Sequence, residues 1–129
     1  MQITPIATSP AARFVEGLRD PRGRIISPKR FADELTLTAG RLAELAQVHR
    51  STLTRAPESE KLQTFLRDAA GVLALAIDAT GGDEDRAIYW FRSVPLLDLG
   101  AKTAEQLVAE GHADGVRDYL INLAAGATG

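Results

Sequence analysis

The sequence predicts an all-α protein, and three observations carry that expectation. Apolar residues recur at a 3.6-residue period through Leu62, Phe65, Leu66, Ala69, Leu73, Ala76 and Ile77, the stripe of a long helix with one buried face. Helix-start signals stand ahead of other periodic segments, at Ser27-Pro28, at Asp83, and at Thr103 with Gln106 three residues on. No stretch alternates apolar and polar residues for long enough to make a useful strand.

Taken in order, Met1 to Pro10 lacks the basic start and apolar centre of a signal peptide and reads as a loose arm. Ala11 to Leu18 suits a short helix with Phe14 and Leu18 on one side. Asp20-Pro21-Arg22-Gly23 then makes a turn, because proline fixes φ and glycine accepts positive φ. Ser27 caps the next helix and Pro28 fills its first position, with Phe31, Ala32 and Leu35 behind. From Gly40 to Ala56 two short helices meet at a tight turn through Gln47-Val48-His49. The first carries Leu42, Ala43, Leu45 and Ala46, the second Leu53. Ala56 ends the second, since the residue before Pro57 is pushed out of the α region.

The long helix runs from Glu58 to about Thr80, where Gly81-Gly82 permits a left-handed cap. Asp83 caps a helix with Ala87, Trp90 and Phe91 inward, and Glu84 and Asp85 complement its positive start. Ser93 to Ala101 is expected as a loop. Thr103 and Gln106 form a capping box for a helix from Ala104 to Glu110, with Leu107 and Val108 inward and Gly111 ending it. The last helix spans Ala113 to Ala125 with Val116, Tyr119, Leu120 and Leu123 inward, and leaves Gly126-Ala127-Thr128-Gly129 as a tail with little side-chain bulk. The chain thus divides into an arm and linker (1–26), a front part (27–81) and a back part (82–129).

At 129 residues and 45% hydrophobic content the chain suits one domain, or two small lobes sharing a core. It has no cysteine, which excludes disulfides, thiolate metal sites and a cysteine nucleophile, and makes cytoplasm the expected compartment. Its longest apolar run, Ala69 to Ile77, falls short of the roughly 20 residues of a membrane span, so no membrane contact is expected. His49 and His112 stand far apart and in no metal-ligand spacing, and Asp83-Glu84-Asp85 reads as helix-start electrostatics. No catalytic set emerges, so the expectation is a binding protein without metal or cofactor.

Charge is uneven. Up to Arg67 there are 11 Lys/Arg against 7 Asp/Glu, a balance of +4; from Asp68 onward 4 stand against 10, a balance of −6. A basic front suits phosphate and an acidic back suits a basic protein, although clustering on solvated faces produces the same numbers.

Leu42 to Arg55 has the spacing of a helix-turn-helix. Ala43 is small where the helices cross, and Val48 and Leu53 anchor the second helix. His49, Arg50, Ser51, Thr52 and Arg55 then present donors for phosphates and base edges, and Arg22, Arg24, Lys29, Arg30 and Arg41 extend a phosphate-binding face. The same spacing also serves a helical pair that only packs. The segment resembles the helix-turn-helix of Xre/Cro-type repressors, with Gln47 where glycine is usual; a non-glycine in the left-handed region costs about 1 kcal/mol. A net +4 provides few phosphate contacts for a monomer, which favours a homodimer.

In the back part, Ala87-Ile88-Tyr89-Trp90-Phe91, the run from Gly100 to Val108, Gly111, Val116, Tyr119-Leu120 and Gly126-Ala127-Thr128-Gly129 resemble the C-terminal toxin-binding domain of the Xre/MbcA/ParS antitoxin family. Together with the helix-turn-helix the resemblance covers about Ser27 to Gly129. It departs at Val94-Pro95-Leu96, where many members carry a Pro-Asn pair. The resemblance implies an Xre-like helix-turn-helix bundle joined by a long helix to a small toxin-binding domain. It also implies a RES-domain toxin as partner, an enzyme that consumes NAD or uses it in ADP-ribosyl transfer.

On that resemblance the toxin-binding residues are Glu105, Asp118, Tyr119, Gly126, Ala127, Thr128 and Gly129. The slender tail and its terminal carboxylate would enter a cationic pocket, while Asp98, Glu105, Glu110, Asp114 and Asp118 face a basic rim. Trp90 fits core packing, Tyr119 fits core or interface, and a Gly/Ala/Thr tail by itself is a frayed end. The function expected is an antitoxin that occludes its toxin's active site and represses its own operon by binding operator DNA. The alternative is a stand-alone regulator whose back domain dimerises or senses another signal.

Overall fold

The structure, a computed structural model, describes residues 9–128, with side chains through Gly126. Among these residues are eight α-helices and a two-stranded antiparallel sheet of two residues per strand, so the protein is all-α. The helices are α1 (Pro10–Leu18), α2 (Pro28–Leu35), α3 (Ala39–Ala46), α4 (Thr52–Arg55), α5 (Glu60–Ala79), α6 (Glu84–Ser93), α7 (Ala104–Ala109) and α8 (Ala113–Thr128). The expected arm at Met1 to Thr8 lies outside the described residues. Ser9 and Pro10 belong to α1 as its cap and first residue, with Ser9 Oγ accepting from the Ala12 N–H at 3.1 Å.

α5 is the axis of the fold because its apolar residues make a wide buried face, with Lys61, Thr64, Arg67 and Asp78 left exposed. Leu62, Leu66, Ala69, Val72, Leu73 and Ile77 are all fully buried, and α1, α3, α6, α7 and α8 pack against it. Each leucine or isoleucine removed from water in this way contributes about 1.5–3 kcal/mol. Phe14 and Leu18 of α1, Phe31 and Leu35 of α2, Phe91 of α6 and Val116 of α8 close on the same cluster. The core is continuous from α1 to α8, and Phe31 meets Phe65 edge to face at 6.0 Å between ring centres.

Helix ends follow the sequence signals closely. Oxygens of Ser27, Thr38, Ser59 and Asp83 each accept a backbone N–H from the first turn of the following helix, and Thr103 with Gln106 completes both halves of the capping box. At Gly81, φ +72°, the Gly82 N–H reaches back to the Ile77 carbonyl and ends α5 in a Schellman turn.

Three expectations for the back part are corrected. The stretch from Ser93 to Ala101 is more ordered than a loop: β1 (Pro95–Leu96) pairs with β2 (Lys102–Thr103) across a 3-10 turn at Leu97–Leu99. Gly100 and Ala101 both take positive φ there, and the Ala101 N–H closes on the Leu96 carbonyl at 2.9 Å. The last helix does not stop at Ala125 but runs through Thr128. Leu123, expected inward, is 55% exposed, and every residue from Ile121 to Gly126 is exposed, so this end of α8 has outrun the core that covers Leu120.

Candidate functional site

The front candidate is the turn between α3 and α4. α3 ends in a Schellman turn in which Gln47 takes the left-handed conformation (φ 57°, ψ 43°), its N–H bonding the Glu44 carbonyl and the Val48 N–H the Ala43 carbonyl. Glycine would reach this geometry with less strain. Gln47 offsets the cost with its side chain, whose Nε2 donates to the Ala109 carbonyl at the end of α7, 3.1 Å away.

The five residues expected to read DNA fall together, but they are not equivalent. Arg50 and Arg55 are exposed, and their guanidinium groups have no partner among the described residues. His49 and Ser51 are occupied with each other: the Ser51 N–H donates to His49 Nδ1 at 3.2 Å, and Ser51 Oγ lies 2.9 Å from the same nitrogen. That backbone bond places the ring proton on Nε2, which stays free to donate outward. Thr52 is half-buried at the first residue of α4. α4 is four residues long, about 6 Å, because Ala56 leaves the helical region (φ −141°) before Pro57. One turn of helix offers few side chains to base edges.

Of the residues expected to extend the basic face, three have partners within the fold. Arg41 turns away to bond Glu44 at 2.8 Å and Glu105 at 3.3 Å. Arg30 Nη1 donates to the Arg19 carbonyl, and Lys29 pairs with Asp33 at 2.8 Å. Arg22 and Arg24 remain exposed and uncommitted.

In the back part the structure gathers Asp98 and Leu99 of the 3-10 turn with Gly115, Asp118, Tyr119, Asn122 and Leu123 of α8 around an open groove of about 460 Å³. Asp98 and Asp118 have no ion-pair partner among the described residues, and Tyr119 is half-buried with no hydrogen bond to its hydroxyl. Leu97, beside the groove, is 82% exposed. Asp118 and Tyr119 were legible from the sequence, but Leu97, Leu99 and Asn122 were not. The only hint was Pro95-Leu96-Leu97, where two adjacent leucines cannot both face one core; Leu96 is buried.

Glu105 does not stand on this acidic rim, which corrects its expected role. It is 4% exposed at the start of α7, with Oε1 3.3 Å from Arg41 Nη2 and Oε2 3.3 Å from Arg92 Nε. The second contact is close in distance but misaligned for a hydrogen bond, which leaves Arg92 Nε and Glu105 Oε2 unsatisfied. Arg92 Nη1 meanwhile donates to the Leu35 carbonyl at 2.7 Å, at the end of α2. One buried carboxylate therefore ties α3, α6 and α7 together and, through Arg92, α2. Because the carboxylate has two cationic partners, replacing Arg41 or Arg92 alone leaves it beside the other. Two other acids of the expected rim are committed as well, Glu110 to Lys102 and Asp114 to Arg117.

Of the expected tail, Gly126 is exposed on α8, and the backbones of Ala127 and Thr128 continue the helix. Gly129 lies outside the described residues. Among the described residues no group of three His, Asp or Glu side chains could hold a metal ion, and no helix is long and apolar enough to cross a membrane. No protein-family model matches the chain, and no curated protein matches it.

Proposed function

We propose that the chain is an antitoxin of the Xre/MbcA/ParS kind. It neutralises a RES-domain, NAD-directed toxin by laying the end of α8 and the neighbouring groove over the toxin's active site, and it binds operator DNA through the α3–α4 turn. The observation that carries this reading is the groove of Asp98, Asp118, Tyr119 and Leu123: apolar walls, two uncommitted carboxylates and a tyrosine hydroxyl without a partner. Such a surface suits a protein partner with a basic rim around an apolar contact. The uncommitted Arg50 and Arg55 support the DNA part of the reading.

The test is co-expression with a RES-domain toxin, with growth and cellular NAD as readouts. Deleting residues 126–129 should leave the melting temperature within about 3 °C of the parent, since α8 is already exposed from Ile121 to Gly126, while toxin inhibition weakens at least tenfold. Full inhibition by the shortened chain would refute occlusion by this end of the molecule.

A further inference from the structure

Gln63 joins two surface segments that are distant in sequence. It is 3% exposed, and its carboxamide is fully used: Oε1 accepts from the Ile26 N–H at 3.1 Å, while Nε2 donates to the Ile26 carbonyl at 2.8 Å and to the Pro57 carbonyl at 2.9 Å. Ile26 stands two residues after Arg24, and Pro57 two residues after Arg55. At about 3.5 Å of chain per residue, the Arg24 and Arg55 Cα atoms therefore lie within about 25 Å of each other. At about 3.4 Å of rise per step, no more than about eight successive phosphates of one DNA strand separate them.

Beside this clamp lies a groove of about 230 Å³ between α1, the segment before α2, and α5. Arg19, Arg24 and Arg67 stand along it, Val15, Ile25 and Ala70 line it, and no carboxylate does. Arg19 shares its Nε with Glu16 at 3.4 Å. Arg24 and Arg67 are exposed, and their guanidinium groups have no partner among the described residues. Two uncommitted guanidinium groups on one groove hold a phosphate group well, because their N–H donors match phosphate oxygens in bidentate fashion.

We propose that this arginine groove binds phosphates of the DNA backbone beside the α3–α4 turn, so that the DNA footprint extends past the helix-turn-helix onto α5 and the segment before α2. The proposal rests on the DNA-binding reading above. It also supplies what the turn lacks: a four-residue α4 offers few contacts, and phosphate contacts from a neighbouring surface fix register on the duplex. Arg67 comes from the middle of the long helix, where the sequence pattern shows only a solvent-facing position.

The experiment measures Kd of the full chain as a function of salt on two duplexes of about 30 base pairs, one from upstream of its own gene and one of mixed sequence. Arg24→Ala with Arg67→Ala should weaken both complexes by a similar factor, about tenfold near 0.1 M salt, and should flatten the log–log salt slope by about 2. Arg24→Lys with Arg67→Lys should restore most of the slope, because counterion release needs the charges. This pair also carries the test if the alanine pair lowers the melting temperature. Unchanged affinity and slope in the alanine pair, while Arg50→Ala with Arg55→Ala abolishes binding, would overturn the groove and leave the turn as the reader. A slope that the lysine pair fails to restore would also overturn it. Binding of neither duplex by the parent chain would remove the DNA reading and the groove together.

Discussion

At Gln47 the backbone sits at φ 57°, a conformation that costs a residue with a Cβ about 1 kcal/mol, yet the side chain recovers energy by donating to the Ala109 carbonyl 3.1 Å away. Strain and compensation belong to different atoms of one residue, so two substitutions separate them. Gln47→Ala keeps the strain and loses the bond, and should destabilise the fold by about 1 kcal/mol. Gln47→Gly loses both and should fall within about 0.5 kcal/mol of the parent in urea unfolding. No loss in Gln47→Ala would mean that the Ala109 bond contributes nothing, and equal losses in the two variants would mean that the left-handed backbone carries no strain. The left-handed position of Gln47 was legible only through the resemblance, which places a glycine there. Its partner was not, because Ala109 lies 62 residues away and offers only a backbone carbonyl, which leaves no trace in sequence. Glu105 teaches the same point with opposite sign: nothing in Thr103-Ala104-Glu105-Gln106 distinguishes a rim carboxylate from one buried between Arg41 and Arg92.

Helix α8 divides at Leu120. Up to that point its apolar residues face α5 and α7; beyond it Ile121 and Leu123 are 54% and 55% exposed. Leu120→Ala should therefore cost about 3 kcal/mol of stability by opening a cavity. Leu123→Ala should cost under about 0.5 kcal/mol, as expected of an exposed position, while weakening toxin inhibition. A large stability loss at Leu123, or full inhibition without it, would contradict the assignment of this end to a partner. Periodicity placed Leu120 and Leu123 on one face correctly, but it cannot show where the covering elements stop. The cover ends between Leu120, 5% exposed, and Leu123, 55% exposed. The capping residues Ser27, Asp83 and Thr103 were far more legible, because a cap acts within three residues of itself.

Over the whole molecule, the apolar cluster runs unbroken from Phe14 through α5 to Leu120, so the front and back parts share one core. Cooperative unfolding follows. Trp90, the single tryptophan, reports on the back part, whereas far-UV circular dichroism reports on all helices; both should show the same urea midpoint. Separate midpoints would mean that residues 27–81 and 82–129 fold as independent lobes. The all-α class and the order of the helices were legible because the α5 stripe is long and the turn residues are strong. The small sheet was not, because two-residue strands carry no alternation. The helical state of residues 126–128 finally sets a length scale. As an extended thread three residues reach about 10 Å, but coiled into α8 they advance about 4.5 Å. A partner that receives this end as a rod needs a wide and shallow mouth, whereas one with a narrow, deep slot must first unwind the last turn and bear the cost of its lost hydrogen bonds.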